Sequence, residues 1–186
     1  MPYEPPPELA ALSLEEIARL VAARKLPPVA QWSPAETGDS EMRIAADGRW
    51  FHQGGEIRRA AMVRAFASLL FRDDDGQHWL VTPAQKLSIA VEDAAFIAID
   101  VKLEGDALAF RLNTDDLVIA GPDHPIVAEG DAETPALYID VRHGARARLN
   151  RSTYGQLAEI ALAETRGEDE DLAVTSQGAR FALVPA

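Results

Sequence analysis

Two stretches of this chain repeat one another, and that repeat limits the fold more than any other feature. Residues 57–70, beginning Ile57-Arg58-Arg59, align with residues 149–162, beginning Leu149-Asn150-Arg151, at an offset of 92. The alignment places Arg59 on Arg151, Met62 on Tyr154, and Leu69-Leu70 on Ala161-Leu162. Each stretch then runs into an acidic turn, Asp73-Asp74-Asp75-Gly76 or Glu168-Asp169-Glu170-Asp171. A Val-Thr step follows (Val81-Thr82, Val174-Thr175), then a basic residue (Lys86, Arg180) and an apolar strand, with the offset drifting only to 94. A hairpin precedes each copy, turning at Asp47-Gly48 and at His143-Gly144. The order hairpin, helix, strand, strand occurs twice, which predicts an α+β fold made of a duplicated module with antiparallel sheets. The plainer reading is a chance alignment of two strand–helix–strand segments. Length fits a duplication: 186 residues divide into a helical arm and linker (1–41), a first repeat (42–94), and a second repeat with additional strands (95–186).

The local signals are consistent with that division. Ser13-Leu14-Glu15-Glu16 is a capping box that opens an amphipathic helix with Leu14, Ile17, Ala18 and Val21 on one stripe, and Pro27-Pro28 ends it. Residues 29–41 read as a linker in which Trp32 packs the arm onto the body. A helical period runs over about 57–71, through Met62, Val63, Phe66, Leu69 and Leu70. Strand signals dominate the middle, with a hairpin turn at Glu104-Gly105-Asp106. Asn150 then stands as the N-cap of a second helix carrying Tyr154, Leu157, Ala158, Ala161 and Leu162.

Composition excludes several classes of function. There is no cysteine, so disulfides, thiolate metal sites and thiol nucleophiles are removed together. The four histidines, His52, His78, His124 and His143, show no ligand spacing, and neither a metal nor a cofactor is expected. Glycine-rich nucleotide loops and a Gly-x-Ser-x-Gly elbow are missing. A net charge of -12 argues against nucleic acid. No apolar run reaches membrane-spanning length, and Met1-Pro2-Tyr3-Glu4 opens without a basic or apolar leader, so a cytoplasmic location is expected.

The negative charge is not uniform. Residues 141–158 contain no acid but carry Arg142, Arg146, Arg148 and Arg151, and residues 49–64 hold Arg49, Arg58, Arg59 and Arg64 against Glu56 alone. Of the 18 basic residues 15 are arginine, whose planar fork matches phosphate and carboxylate. A duplicated pair tends to pack about a pseudo-two-fold axis, which would bring Arg58-Arg59 and Arg148-Arg151 to a shared seam. The expected ligand is therefore a small anion held between the repeats by guanidinium groups and helix N-termini. Arg58, Arg59, Arg142, Arg151 and Lys86 supply the charge; His52, Thr82, Asn113, Thr114, His124 and Tyr154 supply polar contacts. The competing readings are ordinary: arginines paired with carboxylates on a solvated face, His52 bonded to its own turn, Asn113-Thr114-Asp115-Asp116 as a polar turn, and His124-Pro125 as a rigid loop. The alternative function is a protein-interaction scaffold using a sheet edge or the Pro-rich arm. A hydrolase built on His52 or His124 ranks last, because no nucleophile is positioned.

One ordered series of residues resembles a known family. Pro27-Pro28, Trp32, Asp47-Gly48-Arg49-Trp50-Phe51-His52, Ile57-Arg58-Arg59, Leu80-Val81-Thr82-Pro83 with Lys86, Asn113-Thr114, Gly121-Pro122-Asp123-His124-Pro125 and Tyr138-Ile139-Asp140-Val141-Arg142 resemble the bacterial domain-of-unknown-function family 1285 over nearly the whole chain. The resemblance implies a duplicated α+β core with a pleckstrin-homology-like C-terminal half. It also implies a nucleotide-like ligand between the halves and a role in signal transduction, with no established activity. The sequence departs from the family pattern at Gly54-Gly55-Glu56 and at Ala94-Ala95-Phe96, both beside turns.

Overall fold

A computed structural model describes residues 3–165, 167 and 171–186 of the chain. The acidic turn expected at Glu168-Asp169-Glu170 lies outside them. The capping box forms as read: Ser13 Oγ accepts from the Glu16 amide at 3.2 Å, and Glu16 Oε2 accepts from the Ser13 amide at 2.7 Å. It opens α1 (Leu14–Ala23). Leu9, Leu12 and Ile17 of the arm are buried against Ala109, with Leu117 and Ile119 packed beside them.

Two six-stranded sheets make the body. The first contains β1 (Glu36–Ile44), β2 (Trp50–His52), β3 (Gly55–Ile57), β4 (Leu70–Arg72), β5 (His78–Val81) and β6 (Gln85–Val91), in the order β3-β2-β1-β6-β5-β4. The second contains β7 (Phe96–Glu104), β8 (Ala107–Leu112), β9 (Leu117–Ile119), β10 (Ile126–Gly130), β11 (Pro135–Arg142) and β12 (Ala145–Leu149), in the order β10-β11-β12-β7-β8-β9. Read from opposite ends the two orders are the same. In each unit three strands step outward from the centre, three step back, and the first and last lie side by side as a parallel pair, β1·β6 and β7·β12. Every other pairing is antiparallel. A small hairpin, β13 (Ala173–Ser176) with β14 (Ala179–Ala182), closes the chain.

The duplication is present, and its equivalence runs through the strands. β1 begins at residue 36 and β7 at 96, β6 at 85 and β12 at 145, an offset of 60 in both cases. The helices aligned at 92 stand at different places: α2 (Ala60–Ala67) joins the third strand of the first unit to its fourth, whereas α3 (Arg151–Glu164) follows the sixth strand of the second. Residues 120–125 make the connection in the second unit that α2 makes in the first. Six strands followed by a helix keep the second half in line with the pleckstrin-homology-like expectation.

Some boundaries differ from the sequence reading. The helix expected over 57–71 shrinks to α2, because Ile57 pairs with Trp50 in the sheet while Leu70 and Phe71 pair with Leu80 and Trp79. Short apolar runs satisfy either period, and here sheet pairing decides. The linker expected over 29–41 already contains β1 from Glu36. Asn150 caps α3 as expected, accepting from the Thr153 amide at 2.8 Å, and Thr153, Leu157 and Ala161 form its buried stripe. One apolar core joins both units, from Ile44, Trp50 and Leu70 to Phe96, Phe110, Ile139 and Leu157. No helix among the described residues is long and apolar enough to cross a membrane.

Each unit grips the other with a hairpin tip. The first tip reaches across at Gly48 (φ +89°), where an added Cβ would come within 2.7 Å of Ile97 and Asn113. Asn113 spans the joint, its Oδ1 accepting from the Ile97 amide at 3.0 Å and its Nδ2 donating to the Gly48 carbonyl at 3.4 Å. The second tip reaches back at His143-Gly144, where the Arg72 amide donates to the His143 carbonyl at 2.8 Å. Gly144 has φ +77°, and its Cβ would stand 2.6 Å from the Arg72 carbonyl oxygen. Gly144→Ala therefore combines a left-handed backbone with a backbone collision, and is expected to cost about 2 kcal/mol. Urea denaturation measures it, and exposed Gly54→Ala, with open space around its Cβ, isolates the backbone part.

Candidate functional site

An opening of about 910 Å³ lies where the arm, α2 and the second sheet meet. It sits beside β9, an edge strand bonded only to β8, which the arm covers. Backbone carbonyls of the arm are held by the second sheet: Arg111 Nη1 donates to Pro7 at 3.0 Å, and Lys102 Nζ to Leu12 at 2.6 Å.

Asp116 forms the centre of this cleft, with 3% of its side chain exposed. Residues 111–120 alternate partly exposed with buried positions, so Leu112, Thr114, Asp116, Val118 and Ala120 all turn inward. An acid at a buried position of that alternation must be paired. Three arginines from three segments do this. Arg24, just past α1, places Nε 2.7 Å from Oδ1; Arg64 of α2 places Nη1 3.3 Å from the same oxygen; Arg142, at the end of β11, places Nη2 3.4 Å from Oδ2. Thr114 Oγ1 donates to Oδ2 at 2.7 Å. Arg64 also donates to the Thr114 carbonyl at 2.6 Å, and Arg142 to the Ala67 carbonyl at 3.3 Å. Burial alone would raise the Asp116 carboxyl, but the Arg142 charge and the bonds from Arg24 and Thr114 hold it below the ordinary carboxylate value.

A second ring surrounds the first. Arg111 Nη2 lies 2.7 Å from Asp115 Oδ1, the Tyr3 hydroxyl donates to Asp115 Oδ2, and the Arg64 guanidinium stands 5.8 Å over the Tyr3 ring. Burial and the Asp115 bond push Tyr3 up to about 12, so the phenol stays protonated. Four guanidinium charges thus meet two carboxylates, an excess of two positive charges on a chain of net charge -12. Glu4 and Lys25 also line the cleft and cancel one another. Arg24 Nη2, Arg111 Nε and Arg142 Nε are buried with no hydrogen-bond partner. Burial, then the Arg24 and Arg64 charges, pulls Arg142 down from its usual value while Asp116 opposes them. The site is therefore under-neutralised, with donors left to give.

The residues singled out from the sequence divide between several places. His124 and Arg142 line this cleft, with His124 Nδ1 3.0 Å from the Asp140 carbonyl oxygen, while Thr114 joins it through its bond to Asp116 and borders a smaller opening of its own. Asn113, Arg151 and Tyr154 line a second opening of about 740 Å³ with Asp47 and Arg148. Arg58 is exposed, pairs with Glu56 at 3.2 Å and borders a third, of about 260 Å³. Lys86 lies over the Trp79 ring at 4.2 Å and borders a fourth with Trp32 and Phe71. Thr82 bonds Gln85 across the β5–β6 turn, and His52 is exposed in β2. Arg59 is exposed at the start of α2 and lines none of these four openings. Arg151 borders the second opening and Arg59 none of the four, and the helices they begin are not equivalent in the duplicated plan. Arg24, Arg111 and Tyr3 were missed by the sequence reading, which took Arg64 only as part of a basic run and Asp115-Asp116 only as part of a polar turn; an acid in step with buried positions at 112–120 was the available signal.

Comparison with known proteins follows the same division. No curated protein matches the chain. Residues 27–94 match the family model described as "Domain of unknown function (DUF1285), N-terminal domain", and residues 95–183 that described as "Protein of unknown function (DUF1285), C-terminal domain". Among solved structures, a DUF1285 family protein from Silicibacter pomeroyi DSS-3 is 37% identical, with 95% of this chain and 97% of that one covered and a TM-score of 0.78. A DUF1285 family protein from Shewanella baltica OS155 shares the fold at 23% identity and a TM-score of 0.54, over 67% of this chain and 92% of that one. The two models meet between β6 and β7, where the first six-stranded unit gives way to the second, and with them the chain belongs to the DUF1285 family.

Proposed function

We propose that the chain is a non-enzymatic binding or sensor protein that holds a small anion in the arginine cleft between its two halves. The observation that carries this reading is the Asp116 cluster: three arginines share one buried carboxylate, and two of them keep a buried N–H unbonded. Such an arrangement costs stability unless something else accepts those donors. A phosphate or carboxylate offers the matching geometry, and guanidinium groups bind either through paired N–H donors. The nucleotide-like ligand and signalling role suggested by family resemblance are narrower forms of the same proposal.

Thermal unfolding tests it. Phosphate or a nucleoside monophosphate at ten times its dissociation constant is expected to stabilise the chain by about 1.4 kcal/mol, a rise of about 3–6 °C for a chain of this size. Chloride at matched ionic strength should give less. Arg64→Gln, which removes a cation from the cleft but not from the core, should reduce the rise. Equal curves with millimolar phosphate, nucleotide and chloride would end the proposal.

A further inference from the structure

The same cleft has a second character that the anion reading leaves unused. Of the eight large apolar side chains most exposed among the described residues, three line this one opening: Leu20 (37%), Val21 (36%) and Leu26 (37%). Within α1 only Ile17 is buried, so Leu20 and Val21 turn toward the cleft and not into the core. Leu117 and Ile119 of β9 also line it, with Pro6 and Pro7 of the arm. Arg24, Lys25, Arg64 and Arg142 line the same opening. Exposed apolar side chains and under-neutralised cations in one opening are the complement of a molecule that is greasy at one end and negative at the other.

We infer that the ligand is a single-chain amphiphile with an anionic head, a carboxylate or phosphate monoester on a hydrocarbon tail. Its head sits on Arg24, Arg64 and Arg142, and its tail lies along Leu20, Val21 and Leu26. The inference rests on the anion reading of the cleft and adds the tail to it. A volume of about 910 Å³ exceeds what phosphate alone would fill and suits a chain of medium length.

Calorimetric titration of the full chain with butanoate, hexanoate, octanoate and decanoate, below micelle-forming concentrations, tests the tail. In an open cleft that covers about half of each methylene, affinity is expected to rise about fourfold for each added pair. Decanol, which lacks the charge, should bind at least tenfold more weakly than decanoate, and phosphate should compete with decanoate. Val21→Ser and Leu26→Ser, uncharged changes at exposed positions, should flatten the chain-length dependence while leaving phosphate stabilisation in place. If phosphate binds and all four carboxylates bind alike, the tail inference fails and the anion reading survives. If neither phosphate nor any carboxylate binds, the anion reading itself fails. Decanol binding as tightly as decanoate would overturn the assignment of the head. Co-sedimentation with phosphatidylglycerol vesicles would replace a free amphiphile by a membrane surface and overturn the inference as well.

Discussion

Asp116→Ala is expected to cost the fold about 3 kcal/mol, the lower end of what breaking a buried ion cluster costs. The carboxylate is nearly sealed from water, and its removal leaves three guanidinium groups facing one another. Arg24 and Arg64 keep 22% of their side chains exposed and can swing outward, whereas Arg142 keeps 12% and stacks 5.0 Å over the buried Phe96 ring. That mobility is what holds the expected loss at the low end. A fall in the urea midpoint at unchanged slope measures it. The variant also tests the site: sulfate or phosphate should restore more stability to Asp116→Ala than it adds to the wild type, because the anion takes the place of the lost carboxylate. A loss below about 1 kcal/mol, within the range of an exposed pair, would mean the arginines are already solvated.

Where signals are local, the sequence was readable. Ser13 with Glu16, and Asn150 with Thr153, are three-residue hydrogen-bond patterns, and each starts its helix at the residue read. Asp47-Gly48, Glu104-Gly105-Asp106 and His143-Gly144 each turn a hairpin, because positive φ at Gly48, Gly105 and Gly144 is built into the residue type. The repeat was legible as a repeat but not in its register. Helices carry strong periodic patterns and drew the alignment to α2 and α3, whereas strands as short as β3 and β4, with three residues each, carry almost none. The site was the least legible. Its members come from residues 3, 24, 64, 111, 116 and 142, and reading charge by local runs grouped Arg142 with Arg148 and Arg151 when its partners lie on three other segments.

The arm is therefore part of the site and not an appendage. Of the three arginines Arg24 lies nearest to Asp116, Tyr3 closes over Arg64 and Asp115, and Leu20, Val21 and Leu26 form a wall. These groups precede the first family-model match at residue 27. The six-stranded units supply a rigid frame with Asp116 and Arg142 on the second, α2 of the first brings Arg64, and the arm completes the enclosure. A chain lacking residues 1–26 would keep both sheets and lose two cations of the cleft, Arg24 and Lys25, with most of the apolar wall.

Between pH 6.5 and 4 the chain is expected to lose about 3 kcal/mol of stability through one residue, His78. Its imidazole is pushed down from 6.5 to about 4, first by burial, then by the Arg72 charge beside it and by Arg146, with Asp73 opposing. In that window the unfolded chain takes up a proton that the folded chain refuses. Stability is therefore fully present above 6.5, falls as pH falls, and loses nothing further from this group below about 4. The Asp116 carboxyl, held below 3.8, gives up its contribution only at more acidic pH, so the two losses separate on a pH axis. His78→Gln should flatten the first and leave the second. Arg146 reaches His78 from β12 of the second unit, while Arg72 and His78 belong to the first, so Arg146→Gln should narrow the window from across the joint. The imidazole resonances of His78 should titrate near 4 in the folded chain; a midpoint near 6.5 would show the ring in water and the joint between the halves open at β5.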